Sequence, residues 1–244
     1  MHQLFIFITV IIIAAIVLIW LLRRGLRTVA AAQQTDWGKN WLNYLDGLNR
    51  LFCKYYHRLQ YTPIDLPPTG AAVVMANHLS GLDPMLLAAA TRRPLRFLIA
   101  REQYERFGLK WLFRAVGCIP VDRSGHPEVA LRSALRALEA GEVIALFPQG
   151  TFVLPGESHK LKRGGFWLAQ QSHSPIYPAF ISGISGKGYI FLGILWRSRA
   201  NVVSYPPRYW NNNEFSSLDY WQDLLEGKTL SPVSSSQEVM DNAK

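Results

Sequence analysis

Hydrophobic and polar positions divide the chain into unlike stretches. Residues 4–22 are uncharged and almost wholly apolar, with Thr9 the only polar side chain. At 1.5 Å per residue this run reaches about 28 Å, close to the hydrocarbon thickness of a bilayer. Arg23, Arg24 and Arg27 follow it, which predicts a cytoplasmic C-terminal side. No basic region precedes the run and no small-residue cleavage site follows it, so a retained anchor over 1–24 is the expectation rather than a cleaved signal peptide. The alternative is a buried helix of a soluble core.

Residues 30–61 carry Trp37, Trp41, Tyr44, Leu45, Leu48, Leu51, Phe52, Tyr55 and Tyr56 at intervals of three and four, a helical stripe. Lys39, Arg50, Lys54 and Arg58 supply basic charge elsewhere on the helix. This predicts an amphipathic interfacial segment over 25–62; packing of the same stripe on the next domain is an equal alternative. Pro63, Pro67 and Pro68 then punctuate a linker. Beyond it, apolar runs and amphipathic stretches alternate. Strands are predicted at 71–76, 95–100, 118–121, 143–147 and 176–181, and helices at 84–91, 108–116, 127–140 and 165–171. Residues 189–195 and 201–205 are expected to add edge strands. The pattern predicts an α/β domain over 63–226, with a mostly parallel central sheet flanked by helices. The polar stretch 227–244, with Ser234, Ser235 and Ser236, is expected to be disordered.

Composition narrows the partners. Of 244 residues, 49% are hydrophobic, and Lys plus Arg outnumber Asp plus Glu by 26 to 17. Such a basic chain suits nucleic acid, an anionic membrane or a phosphorylated substrate. The eight Trp, ten Tyr and twelve Phe favour the membrane, and no recognised nucleic-acid motif is present. Cys53 and Cys118 lack metal-ligand spacing and are expected to be reduced, packed thiols.

Three polar segments sit at the ends of predicted strands, where open α/β sheets gather their ligand sites. The first runs from Asn77 and His78 to Asp83-Pro84, which reads as the N-cap and first residue of a helix. His78 is a candidate general base and Asp83 a carboxylate able to orient it. The second spans residues 117–123 and ends in Asp122-Arg123; this pair reads either as a mutual surface ion pair or as leaving Arg123 free for phosphate. The third is Phe147-Pro148-Gln149-Gly150-Thr151, whose Gly150 and Thr151 amides can face an oxyanion or phosphate. Lys160, Lys162 and Arg163 form either a solvated loop or a contact with headgroups or a donor phosphate.

In order and content these segments resemble the glycerolipid acyltransferase family, the 1-acyl-sn-glycerol-3-phosphate acyltransferases and their relatives. Asn77, His78 and Asp83 match its first motif. Gly117, Ile119, Asp122 and Arg123 match the second. Phe147, Pro148, Gly150 and Thr151 match part of the third, and Pro175, Ile176 and Pro178 match the fourth. The resemblance covers roughly residues 68–183. It implies acyl transfer from acyl-CoA or acyl carrier protein to a lysophospholipid hydroxyl, most simply that of lysophosphatidate, with no metal and no cofactor beyond the thioester co-substrate. His78 and Asp83 would be catalytic. Arg101, Arg123, Gln149, Gly150 and Thr151 would bind substrate; Arg101 stands where relatives often carry a basic phosphate-binding residue. Membrane lipids are the implied surroundings, with the catalytic domain cytoplasmic, at the inner membrane if the source is bacterial.

Two positions depart from the family pattern: Gln149 where Glu is usual, and Phe152 where Arg is usual. Either Arg101, Arg123 or Lys162 compensates, or the acceptor is another lysolipid or amphiphilic alcohol against which Phe152 packs. A non-catalytic membrane-surface module is the rival from another class.

Overall fold

The computed structural model describes residues 2–123, 125–154, 156–210 and 217–228. Helix α1 (His2–Ala32) has no buried residue. It is long and apolar enough to cross a membrane, and none of its apolar stretch is buried, which sets it apart from a core helix.

The predicted continuous helix over 30–61 is instead broken. Gly38 adopts φ 71°, and Asp36 Oδ1 accepts the Gly38 amide at 2.9 Å. This turn folds α2 (Asn40–Leu51) back on α1. Contact is close: a Cβ on Gly47 would lie 2.1 Å from the Val29 carbonyl oxygen. A short π-helix, Phe52–Tyr56, continues α2.

Helix α2 is inside out. Asp46 and Arg50 are buried, while Trp41, Tyr44, Leu45 and Leu48 are exposed. Arg50 therefore does not serve the basic surface that the sequence suggested. Its guanidinium bonds Asp46 at 2.8 Å, Thr35 Oγ1 at 2.8 Å and the Ala89 and Thr91 carbonyls at 2.7 and 2.5 Å. A buried guanidinium is tolerated when its donors are matched in this way. The apolar stripe faces outward, which in water would leave a large apolar area hydrated.

The remaining elements are β1 (Gln60–Tyr61), β2 (Ala72–Ala76), α3 (Asp83–Ala89), β3 (Leu95–Ala100), α4 (Arg101–Tyr104), α5 (Lys110–Ala115), β4 (Ile119–Val121), α6 (Pro127–Glu139), β5 (Val143–Leu146), α7 (Gly164–Gln171), β6 (Ile176–Ser182), α8 (Ile190–Leu195), β7 (Asn201–Ser204) and α9 (Leu218–Leu225). The seven strands form one sheet in the order β1-β7-β6-β2-β5-β3-β4. All neighbours are parallel except β6 and β7. Strand β2 is buried on both faces. Ala72, Val74 and Ala76 join a cluster with Leu82, Leu86 and Leu87 of the α3 side, while Val73 and Met75 join one with α6, α7 and α9.

Two further expectations change. Residues 189–195 are not an edge strand: Gly186 and Gly188 take φ 68° and 81° and turn the chain, so that α8 packs on the loop after β2. An apolar run of this length carries no periodicity that separates helix from strand. Strand β7 is internal, with β1 outside it at the edge. Helix α6 buries Ala130, Ala134 and Leu138, leaving Val129 exposed, because small residues allow close approach to the sheet. Cys53 and Cys118 are free and buried, and burial pushes both thiols up to about 12. Of the predicted polar tail, residues 229–244 lie outside those described.

Candidate active site

Strand β2 ends at Ala76, and the next two residues do different things. Asn77 turns inward, donating to the Ile181 carbonyl at 2.8 Å and accepting the Ile181 amide at 2.6 Å. Its side chain adds one rung to the β2–β6 ladder and fixes where the chain leaves the sheet. His78 then faces the open side, with its side chain 19% exposed.

Asp83 is fully buried. Its Oδ2 accepts from His78 Nδ1 at 2.8 Å, the Leu79 amide at 2.5 Å and the Ser80 amide at 2.8 Å. Ser80 Oγ reaches Oδ1 at 3.3 Å and accepts the Leu82 amide at 3.2 Å. The sequence assigned Asp83 to capping its own helix. Instead it is the first residue of α3, and its carboxylate organises the preceding turn. A carboxylate among donors is an acceptor only, so His78 Nδ1 carries the hydrogen and Nε2 presents its lone pair. Among the described residues Nε2 has no hydrogen-bond partner.

Aromatic rings fix the imidazole. Phe147 stacks on it with centroids 4.0 Å apart, and Phe152 lies 4.5 Å away at 58°. Phe152 thus packs on the histidine itself, a contact that the sequence did not reveal. The Val153 amide donates to the His78 carbonyl at 2.8 Å, tying the two loops together.

The third segment is a tight turn. The Gly150 amide donates to the Phe147 carbonyl at 3.0 Å. Of the two amides expected to face an anion, that of Gly150 is therefore committed, and only that of Thr151 lacks a partner among the described residues. Gln149 is buried, and its Oε1 likewise lacks one. Gly150 has φ 72°, and a Cβ there would meet Lys162 Nζ at 2.7 Å, so the lysine stem crosses the turn.

Arg101 opens α4 after β3, and Arg123 follows β4. With Glu102, Glu105 and Asp122 they line an open hollow of about 400 Å³. The sequence left Arg123 either paired with Asp122 or free for phosphate; in the structure Arg101 Nη1 lies 3.8 Å from Asp122 and Arg123 Nη1 lies 3.8 Å from Glu102. At about 4.8 Å per strand, Arg101 sits two strand spacings from His78 and Arg123 three, roughly 10 and 14 Å along the sheet edge. The same carboxyl ends thus carry every candidate residue, with the arginine backbones two and three strands from that of the histidine.

Helix α8, absent from the sequence reading, roofs the histidine turn. A Cβ on Gly193 would lie 2.6 Å from Ser80 Cβ, and one on Gly81 would lie 2.4 Å from the Ile190 carbonyl oxygen. The only sequence signal was the spacing of Gly186, Gly188 and Gly193. Phe191, Leu195 and Trp196 are exposed. Tyr56 Oη donates to the Leu195 carbonyl at 2.6 Å, Trp41 lies 5.6 Å from Trp111 of α5, and the Arg106 guanidinium sits 4.6 Å above Phe191. These contacts join the outward face of α2 to α5 and α8 as an aromatic rim beside the histidine turn.

The family model for Acyltransferase matches residues 58–182. A probable 1-acyl-sn-glycerol-3-phosphate acyltransferase of Mycoplasma genitalium is 32% identical over 127 residues, covering 49% of this chain and 47% of its own length. The 1-acyl-sn-glycerol-3-phosphate acyltransferase of Bacillus subtilis is 24% identical over 132 residues, covering 54% and 65%. The matched region thus spans about half to two thirds of these relatives. The crystal structure of the 1-acyl-sn-glycerophosphate (LPA) acyltransferase, PlsC, from Thermotoga maritima shares the fold, with a TM-score of 0.58 at 19% identity over 75% of this chain and 78% of that one.

Proposed function

The chain belongs to the acyltransferase family, and from that premise we propose that it transfers a fatty acyl group from an acyl thioester, on coenzyme A or acyl carrier protein, to the free hydroxyl of lysophosphatidate. The observation that carries this reading is the His78–Asp83 pair, 2.8 Å apart, with Nε2 left open at the carboxyl end of the sheet. In the proposed step the acceptor oxygen attacks the thioester carbonyl as Nε2 takes the hydroxyl proton. The tetrahedral intermediate collapses, the carbon–sulfur bond breaks, and the imidazolium returns the proton to the thiolate. No protein nucleophile is needed. Thr151 offers an amide to the developing negative charge, and Gln149 Oε1 is an acceptor for a substrate hydroxyl. Arg101 and Arg123 add positive potential across the hollow beyond.

The acceptor and product are membrane lipids, and α1 with the aromatic rim supports a site held at a bilayer. The arginines after residue 22 favour a cytoplasmic catalytic domain. Phe152 favours a second reading, an acceptor lacking phosphate, because it puts an apolar ring beside the base. The test is thiol release by purified protein from an acyl thioester, measured with lysophosphatidate, other lysolipids and monoacylglycerol. Release with lysophosphatidate supports the first reading, release only with the neutral acceptor the second, and none with any acceptor overturns both.

A further inference from the structure

The arginines of the hollow stand two and three strands from the base, and each faces a carboxylate at 3.8 Å. Strand order puts their backbones about 10 and 14 Å from that of His78 along the sheet edge, against about 5 Å for the end of β5. The position that would otherwise supply an arginine, 152, holds a phenylalanine on the histidine ring. Another cation lies across the turn whose Phe147 stacks on the base. Lys162 is anchored by its own amide, which donates to the Pro148 carbonyl at 2.8 Å, and its stem lies across Gly150. Only glycine permits this: a Cβ at 150 would meet Nζ, Cε and Cδ at 2.7, 2.8 and 3.1 Å. Strand β5, which leads into this turn, lies between β2 and β3. The lysine therefore crosses a turn at the end of the strand that lies between those of His78 and Arg101. Among the described residues it has no carboxylate within 4.0 Å, unlike either arginine, and the unpartnered Thr151 amide belongs to the same turn.

We propose that Lys162, laid over Gly150 and joined by the Thr151 amide, binds the phosphate monoester of the acceptor. The assignment rests on the transferase reading above and deepens it: Lys162 supplies as a compact point charge what a guanidinium at 152 would have supplied, and Phe152 is thereby free to hold the imidazole. The thioester carrier also bears phosphate, so the experiment separates the two sources.

Full-length protein is assayed with the acyl thioester and lysophosphatidate, each varied at saturating levels of the other. Lys162→Met keeps the stem on Gly150 and removes the charge. Its KM for lysophosphatidate should rise about tenfold or more, the loss expected of one charge-assisted hydrogen bond, with kcat and the thioester KM little changed. Lys162→Arg should stay within a few-fold of the parent, which separates lost charge from misfolding. An unchanged lysophosphatidate KM in Lys162→Met overturns the proposal; so does a rise confined to the thioester, which would give the lysine to the carrier. A second readout needs no turnover. Amine labelling of Lys162, mapped by mass spectrometry, should be suppressed by lysophosphatidate and not by monoacylglycerol of the same chain length. Equal labelling overturns the proposal. Absence of turnover in the parent would sink the transferase reading, and the labelling would still decide the role of the lysine.

Discussion

The His78 imidazole lies flat on the Phe147 ring, with centroids 4.0 Å apart and planes 5° apart. One face of the base is thereby covered, Nδ1 is held by Asp83, and Nε2 is directed at the open edge of the sheet. Stacking and hydrogen bonding fix orientation and tautomer separately, so the two can be disturbed separately.

Asp83→Asn disturbs the tautomer. An amide in place of the carboxylate offers donors among groups that already donate, and weakens the hold on Nδ1–H. We expect kcat to fall by about 10²–10⁴ with the fold retained, the range lost when a base is misoriented. Steady-state thiol release together with circular dichroism checks this; a loss under threefold would contradict it.

Asn77→Ala removes both bonds to Ile181 and leaves a buried amide and carbonyl without partners. The expected destabilisation is about 2 kcal/mol, or roughly 4–8 °C in melting temperature for a domain of this size. A thermal melt decides it. A neutral result would mean that the extra rung between β2 and β6 contributes nothing.

His57 is fully buried between Phe52 and Tyr56, donating from Nε2 to the Ile194 carbonyl at 3.1 Å. Burial holds its pKa below the ordinary 6.5, against a smaller upward effect of that bond. Below about 6.5 the unfolded chain takes up a proton that the folded chain resists, so stability is complete above that pH and is lost as pH falls towards the folded value. Melting temperature should drop more between pH 7.5 and 5 in the parent than in His57→Gln. Equal drops would remove His57 from the acid response.

The aromatic rim should enter lipid. Trp41, Trp111 and Trp196 are exposed whereas Trp221 is buried. With brominated lipid vesicles, replacing any of the first three by Phe should lower the quenched fraction of tryptophan emission, while Trp221→Phe should not. Quenching indifferent to the exposed three would place the bilayer elsewhere.

What could be read from the sequence was whatever depended on local pattern. The run over 71–76 is apolar at every position because β2 is covered on both faces, and His78, Asp83, Arg101, Arg123 and Gln149 all emerge at carboxyl ends of parallel strands because alternation dictates a parallel sheet. What could not be read depended on tertiary contact. Residues 190–195 read equally as strand or helix until Gly186, Gly188 and Gly193 set them against Ser80. Asp46 and Arg50 look like surface charges until Thr35 and the carbonyls closing α3 meet them. Helix α2 showed its stripe but not which way it faced. The crossed pairing of Arg101 with Asp122 and the passage of Lys162 over Gly150 join positions on separate loops, which periodicity does not register.

The most direct test is the turnover of His78→Ala. Purified parent and variant are given an acyl thioester and lysophosphatidate, and free thiol is followed with time. The proposed mechanism predicts a fall of about 10²–10⁴ in the variant with its melting curve retained; turnover at the parental rate would contradict His78 as the base.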